Sequence, residues 1–591
     1  MNPVAQGFLD RVRAEAQAHT DLSHLSQWVV RNTRHPKDVT KRWNWRGHEF
    51  QKDIVNDSAS EVDVRKCSQV GVSELFARLT LAYLAVKQNH TAIYTLPTAA
   101  FAAKFSKSRL DPIISASPTL SAMVPSDSDS ASLKQVGRSF LHIAGTFTQG
   151  AAISVPADML INDEVDFSDQ TVLTTYESRL GHAEEQKGGK GLKRRFSTPT
   201  VGGFGISAGL DDSSQARYAV KCNNCHQWVM PDFFEDVVLP GFDDHLIKLE
   251  KQDITERHLD VSKAKLLCPT CKHELTARNL ADPDKRQWIH ARPDHPRHGY
   301  QVFPYDAPLI SSVGHILSQL EKYKRKADWV NFKVGLDYED AETSVMSEAL
   351  SRAFSVRPVL PNPGAADGCV LGMDVGKTCH IMVGKRINSA RMEIIHAETV
   401  RQDISKGENA VVLRVSELLE NFGCSRAVID AGPDFSIALA AIDAGLFGQV
   451  YANYYTRNAP SELSNLRVDP VDQILKSYRT GTLDHMVKAI NTGRVYFCRS
   501  EEKETITNHL RALKRVSKPG ASGEDVAQWI STDADHYGHA LNYLMIADEL
   551  NANSLAGNVI GVLPMASSVK LKEINPKRDG YDYARKSSYP A

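Results

Sequence analysis

"RKCSQVGVSE", residues 65–74, decides how the rest of the chain is read. The pattern G-x-x-x-x-G-K-[ST] cradles phosphates on backbone N–H groups, neutralises them with a lysine and holds Mg²⁺ on a hydroxyl. Gly71 and Ser73 fit the end of that pattern, while Val72 stands where its lysine belongs and Lys66 where its first glycine belongs. "VDVRKCS" reads as a strand entering a loop, and "ELFARLTLAYLAVKQ" as the helix leaving it. A phosphate loop needs that setting, because a helix N-terminus adds its positive end to the bare amides. An ordinary strand-to-helix turn is the bland alternative.

Further strand-like runs follow in "HTAIYTLPT", "SFLHIAG", "ADMLINDE" and "KRRFSTPT", alternating with helical patterns. That alternation predicts a parallel α/β sheet. "DMLINDEVD" (158–166) runs an apolar strand into Asp163 and Glu164, at the carboxyl end of a parallel strand, where ligands bind. In P-loop ATPases the first such acid holds Mg²⁺ and the second orients and deprotonates the attacking water. Ser197, Thr198, Pro199 and Thr200 end a third strand with hydroxyls suited to sensing the γ-phosphate.

The chain has 591 residues, 42% apolar and 24% charged, with a formal net charge of −1. These values predict two to four soluble domains and no global basic surface, so nucleic acid would have to meet local patches. Two basic stretches qualify, "KGGKGLKRR" (187–195) and "HLRALKRVSK" (509–518). "MNPVAQGFLDRVRAEAQ" has acids among its bases and no apolar core, so no signal peptide is expected. No apolar run is long enough to suggest a membrane span. Nine cysteines do not suggest a disulfide framework, and a reducing location is expected. Four of them form "CNNC" (Cys222, Cys225) and "CPTC" (Cys268, Cys271), a thiolate set suited to one closed, structural Zn²⁺ site. The 42 residues between the pairs exceed the roughly 15 to 20 of a simple ribbon, so an insertion must loop out. Redox use is the rival reading, and His226 and His273 are bystanders.

A second chemistry follows the Pro/Gly-rich "FSVRPVLPNPGAADG" (354–368). "VLGMDVGKT" places Asp374 in an apolar strand, "AVIDAGPD" places Asp430 at the end of another, and "STDADHYGHALNYL" puts Asp535 at the head of a strong helix. Carboxylates from two strands and a helix, meeting at one sheet edge, suit two Mg²⁺ or Mn²⁺ ions for phosphodiester cleavage. Taken singly, each is an ordinary strand-end or helix cap. Asp484, in "RTGTLDHMVKAINTGRVYF" (479–497), reads as a cap, with an additional acid near the metals as the alternative.

The order "WNWRGHEFQKDI", "KCSQVGVSE", "LINDEVD", "STPT" resembles the large terminase subunit of tailed bacteriophages, in particular the phage-lambda-like group. In that group the phosphate loop carries its lysine early, which makes Lys66 the phosphate lysine. The resemblance implies an ATP site built from Lys66, Cys67, Ser68, Gln69, Val70, Gly71, Val72 and Ser73, with Phe50 and Gln51 near adenine. Ser73 and Asp163 would hold Mg²⁺, Glu164 would be catalytic, and residues 197–200 would couple hydrolysis to motion. The three later aspartates resemble an RNase H-like nuclease. Family members often show two adjacent acids at the third position; here Asp535 stands beside His536 with Asp533 nearby, so the third ligand is open among them.

The implied organisation is a helical lead (1–45), an ATPase core (46–220), a zinc insertion (221–275), the rest of the ATPase domain with a helical connection (276–353), a linker (354–368), a nuclease (369–554) and a flexible tail (555–591). The implied function is ATP-driven packaging of double-stranded DNA into procapsids, with endonucleolytic cutting of the concatemer. Implied partners are DNA, a small terminase subunit, the portal or procapsid, and further copies in a ring, in the host cytoplasm and not the mature virion. Rival readings are a helicase–nuclease of DNA repair and a non-catalytic zinc-knuckle DNA-binding scaffold.

Overall fold

The computed structural model describes residues 24–555, except 126–129, 147–154, 182–190, 311, 356–367, 389–390, 403–409, 433–434, 445–447, 460–463, 499 and 520–524. The tail and most of the linker stretch lie outside the described residues. By contacts the chain divides into two units, residues 1–338 with 518–526 and residues 339–517 with 527–591. The division falls before the Pro/Gly-rich stretch; the helix Ser347–Ser355 already belongs to the second unit.

The first unit is built around β1 (Glu61–Lys66) and α1 (Val72–Val86), the strand and helix flanking the loop at 65–74. In chain order the sheet continues with β2 (Thr91–Leu96), β3 (Leu133–Val136), β4 (Ser139–Gly145), β5 (Met159–Asp163), β6 (Leu192–Ser197), β7 (Ala216–Lys221), β8 (Trp228–Val229), β9 (Arg286–His290) and β10 (Arg297–Val302). Its order is β8-β7-β10-β1-β6-β5-β2-β4-β3, with β9 also paired to β7. The central run from β10 to β4 is parallel, so the carboxyl ends of β1, β5 and β6 share one edge.

Packing explains why α1 has so little polar surface. Leu75, Phe76, Leu79, Leu81 and Leu84 are buried, each contributing about 1.5–3 kcal/mol by removal from water. Phe76 stacks on Phe196 of β6 with centroids 4.3 Å apart, and Phe76→Ala would cost about 3–5 kcal/mol. Asp63 of β1 faces Arg195 of β6 in register, and Arg195 Nε and Nη2 donate to its carboxylate at 2.7 and 2.6 Å. Truncating either would strand a buried charge, at about 3–5 kcal/mol.

Several expectations change here. Where a helical lead was expected to residue 45, the described part is a short helix, Leu25–Asn32, followed by a hairpin pairing Arg34–His35 with Asp38–Arg42. "RHPKD" (34–38) spans the turn of that hairpin. In the region after 276, β9 and β10 join the sheet of the first unit, and β10 lies beside β1 itself. The described part of "KGGKGLKRR" is engaged internally. Lys193 pairs with Glu61 and Glu177, Arg194 donates to the carbonyls of Asp57 and Ser60, and Arg195 holds Asp63. Those side chains sit within a sheet and are not free to grip a phosphate backbone.

The second unit carries an eight-stranded sheet: β11 (Cys369–Asp374), β12 (Thr378–Asn388), β13 (Arg391–Arg401), β14 (Cys424–Asp430), β15 (Val450–Thr456), β16 (Leu466–Asp469), β17 (Ile474–Tyr478) and β18 (Val495–Phe497). The order is β16-β17-β15-β14-β11-β12-β13-β18. β11, β12 and β13 are an antiparallel meander, while β14 and β15 run parallel to β11. The C-terminal helix α2 (His536–Leu555) lies on β11 so closely that a Cβ on Gly372 would meet Ala540 O and Leu544 N at 2.2 Å. Asp484 lies inside the helix Arg479–Asn491, so it is no cap; it accepts from Arg515 Nε at 2.8 Å and Trp529 Nε1 at 2.7 Å. Lys514 pairs with Glu339, so the second basic stretch is also partly engaged internally.

Candidate active sites and a cysteine cluster

The loop at 65–74 uses two left-handed residues to turn from β1 into α1. Gly71 takes one at φ +79° and caps the helix; Gln69 takes the other at φ +64°, a costly conformation for a residue with a Cβ. The amides of Cys67 and Ser68 donate to the carbonyls of Val302 (3.3 Å) and Phe332 (2.7 Å). In this state they anchor the loop rather than face a phosphate. A small cavity of about 90 Å³ borders Ser68, Gln69 and Val70, with Ile316 and Lys333 on its far wall. Gln51 is buried and donates through Nε2 to Val70 O at 2.9 Å. Phe50 is wholly buried in the core, edge-on to Tyr218, so an adenine could stack on it only by displacing core contacts.

At the same sheet edge Lys66 Nζ lies 2.8 Å from Glu164 Oε1. Burial would lower this ammonium's pKa, but Glu164 and Asp163 outweigh it and hold Lys66 charged. Glu164 sits in left-handed backbone at φ +55°, strain of the kind that gathers at functional sites. Its Oε2 accepts from Thr198 N at 3.2 Å and lies within hydrogen-bond reach of Ser197 Oγ (3.2 Å) and Thr198 Oγ1 (3.3 Å). Glu164 thus ties Lys66 to the hydroxyl turn.

Asp163 accepts from Tyr94 Oη at 2.9 Å and from the Ser73 hydroxyl. Its Oδ1 is buried and has no hydrogen-bond partner. Burial, then the nearby Glu164, pushes the Asp163 carboxyl up to about 7. A buried carboxylate oxygen without a donor, beside a hydroxyl, is a donor set that fits Mg²⁺.

Sequence reasoning passed over Tyr94 and Asp166. Asp166 accepts from Thr200 N (2.9 Å), Thr200 Oγ1 (2.8 Å) and Ile206 N (2.8 Å), fastening the acidic turn to both the hydroxyl turn and the helix that follows it. Its place two residues beyond Glu164 was visible; its partners, more than thirty residues away, were not.

The four cysteines converge. Cys222 Sγ lies 3.7 Å from Cys271 Sγ, and Cys225 Sγ 3.8 Å from Cys268 Sγ. Zn–S bonds of about 2.3 Å in a tetrahedron imply S···S edges of about 3.8 Å, so the set fits zinc. The two knuckles are built alike: His226 N donates to Cys222 O, Lys272 N to Cys268 O, and both donors are left-handed. The Asn224 side chain and the His273 backbone hold the Cys271 thiol down at about 6, whereas burial pushes Cys268 up to about 12. His226 and His273 themselves are exposed.

In the second unit Asp374 and Asp430 end neighbouring parallel strands. Burial, then the charge of Asp374, raises the Asp430 carboxyl well above the carboxylate range. Two acids that resist sharing ionisation fit divalent cations. Asp535 faces elsewhere: its Oδ2 contacts His539 Nε2 at 3.0 Å and the Ser531 hydroxyl. Burial would raise Asp535, but His539 and Ser531 outweigh it and hold the carboxyl well below its usual range. Of the open third candidates, His536 is the one against Asp374, with Nδ1 2.9 Å from Oδ2. Asp533 lines an acidic cavity of about 370 Å³ with Glu501, Glu504, Asn508 and His509. His380 and His509, missed in the sequence, complete the neighbourhood: rings 5.4 Å apart, with His380 stacked on His536 at 4.7 Å.

Residues 41–286 match the family model of the phage terminase large subunit gpA, ATPase domain. No curated protein matches the chain. Among solved structures it is similar to the HK97 bacteriophage large terminase, at 12% identity over 90% of this chain and 99% of that one, with a TM-score of 0.47. It is also similar to the large terminase of a thermophilic bacteriophage in complex with ATP-gamma-S, at 12% identity over 87% and 99% of the two chains and a TM-score of 0.26. The large terminase nuclease of thermophilic phage G20c aligns at 17% identity over 34% of this chain and 98% of that one, with a TM-score of 0.24. Residues 41–286, which hold the loop at 65–74, the acidic turn and the hydroxyl turn, are thus similar to the ATPase domain of the phage terminase large subunits.

Proposed function

We propose that the chain is the motor and nuclease of a viral packaging machine, driving double-stranded DNA into a procapsid with ATP and cutting the concatemer. The observation that carries the motor reading is the meeting of Lys66, Ser73, Asp163 and Glu164 at one sheet edge, inside the region matched to the terminase ATPase family. Lys66 and the loop residues 67–73 would bind the phosphates, and Ser73 with Asp163 would hold Mg²⁺. That ion supplies charge neutralisation on the transferred phosphoryl oxygens. Glu164 would orient the attacking water and accept its proton. An incoming γ-phosphate competes with Glu164 for Lys66, and Thr198 then carries the displacement of Glu164 into residues 197–200. Gln51, through Val70, would set the rim of the loop, with Phe50 supporting it from the core.

For the second unit, the meander β11-β12-β13 flanked by parallel β14 and β15 supports the RNase H-like nuclease reading. Asp374 and Asp430 would hold Mg²⁺ or Mn²⁺, which activates water and steadies the leaving oxygen. Asp535 would orient the site through His539 and Ser531. The four cysteines would hold one structural Zn²⁺. Duplex DNA would be gripped by its phosphates in a salt-dependent mode. A small subunit, the portal and further copies in a ring would be the partners, in the host cytoplasm; among the described residues no helix is long and apolar enough to cross a membrane.

The test is purified chain with circular duplex DNA, ATP and a divalent metal. DNA-stimulated ATP turnover and metal-dependent linearisation are expected. A chain that binds nucleotide without turning it over overturns the motor, and intact circles with both Mg²⁺ and Mn²⁺ overturn the nuclease.

A further inference from the structure

The fold brings nitrogen ligands to a site that the sequence presents as carboxylate alone. β11 and β12 pair with Asp374 directly opposite His380, and such a pair leaves the same face of the sheet. Gly372 shares that face by the two-residue period, and α2 rests on it. The first residue of α2, His536, therefore arrives over Asp374, where its Nδ1 meets Oδ2 at 2.9 Å. One ligand atom from each of Asp374, His380 and His536 lies within 4.8 Å of the other two. His380 is only 7% exposed, and its Nδ1 has no hydrogen-bond partner. A buried imidazole nitrogen with no protein donor or acceptor, beside a carboxylate and a second imidazole, is a ligand set rather than a packing accident.

Asp430 comes from the opposite side, since β14 pairs with β11 along its other edge. Asp374 therefore stands between an oxygen-only neighbour and a pair of imidazoles. We propose that Asp374, His380 and His536 form a mixed carboxylate–imidazole cation site that takes a borderline transition ion such as Co²⁺, Mn²⁺, Ni²⁺ or Zn²⁺ in preference to Mg²⁺. Imidazole suits the later first-row metals, whereas Mg²⁺ prefers an octahedron of oxygens and dehydrates reluctantly. The Asp374–Asp430 pair remains the oxygen-only position. His509 borders the site at 5.7 Å from the His536 ring, and its Nδ1 accepts from Tyr537 N at 3.2 Å, fixing the ring. The adjoining cavity, walled by Glu501, Glu504 and Asp533, offers a cation an approach of favourable charge. The inference takes its location from the nuclease reading but does not depend on cleavage.

The test uses full-length protein that carries Zn²⁺ on the cysteine cluster and has been stripped of weaker-bound metal with a mild chelator, so that cobalt–thiolate bands do not interfere and the proposed site starts empty. Co²⁺ titration followed by visible absorption should give a saturable d–d band. His380→Gln and His536→Gln should each weaken it by about tenfold or more, and excess Mg²⁺ should fail to displace it. Melting curves of the metal-free variants check folding. Pulsed EPR of wild-type protein with Mn²⁺ should show ¹⁴N coupling from imidazole, a readout that needs no variant. Absent nitrogen coupling, or Co²⁺ binding indifferent to both substitutions, overturns the inference even if DNA is cut with Mg²⁺. Nitrogen-coupled metal on a chain that cuts no DNA leaves it standing and overturns the nuclease reading instead.

Discussion

The acids of the two units are held in opposite ways. In the first unit protein donors hold the acidic turn: Lys66 and Thr198 on Glu164, Tyr94 and Ser73 on Asp163, Thr200 and Ile206 on Asp166. Of the carboxylate oxygens of Asp163, Glu164 and Asp166, Asp163 Oδ1 is the one buried without a partner. In the second unit Asp374 and Asp430 stand against each other as buried like charges, with Gly432 N and Tyr543 donating to Asp430 and imidazoles around Asp374. The difference shows two ways to prepare a carboxylate. A preassembled hydrogen-bond network positions a base and transmits its movement, whereas a like-charged pair stores repulsion that a cation relieves.

The strongest break in the comparison is to remove one member of the repelling pair. Asp374→Ala or Asp430→Ala should abolish divalent-dependent cutting of circular duplex DNA, while ATP turnover stays near wild type. Retained cutting in both variants would sink the cation-filled reading of that pair.

Next in size is the network in the first unit. Glu164→Gln should lower ATP turnover by about 10²–10⁴-fold with nucleotide binding retained, because an amide cannot accept the water's proton. Lys66→Ala should reduce turnover by about 10²–10³-fold, and Val72→Lys should do far less. Normal hydrolysis by Lys66→Ala would return the loop to an ordinary strand-to-helix turn.

The cysteine cluster extends the comparison to soft ligands. Elemental analysis should give about one Zn per chain, and Cys268→Ser should remove it and lower the melting temperature. Metal-free native protein with four freely titrating thiols contradicts this.

The smallest effect separates the networks by pH. Burial holds the Asp166 carboxyl up at about 7, against the donors of Ile206 and Thr200. An acid raised on folding binds its proton more tightly in the native state, so its contribution to stability falls as pH rises from about 4 to about 7, then levels off. Asp163, also raised to about 7, has the same sign. Thermal melts of metal-free Asp166→Asn should therefore show a shallower loss of stability between pH 5 and 7.5 than wild type. Identical slopes would mean that the three donors keep Asp166 ionised throughout. In contrast, His396 and Arg414 hold Glu398 at about 2 against its burial, a contribution present above pH 4.5 and lost as pH falls toward 2.

The sequence by itself determined what neighbours along the chain can encode. The strand–loop–helix at 61–86, the strands that carry Asp163, Asp374 and Asp430, and the paired cysteines were legible because hydrophobic periodicity and ligand spacing are local properties. Only the tertiary structure decided which local pieces meet. β10 reaches the side of β1 across more than 230 residues, and no pattern within either strand specifies that pairing. The basic run at 193–195 looked like a DNA grip until register placed Arg195 on Asp63 and Arg194 on the carbonyls of Asp57 and Ser60. Asp535, at the head of a strong helix, was the expected third ligand, yet in the structure it meets Ser531 and His539, and His536 at the start of α2 meets Asp374. His380 carried no signal along the chain, because its meaning comes from sitting opposite Asp374 across a hairpin whose register is set by burial of both faces.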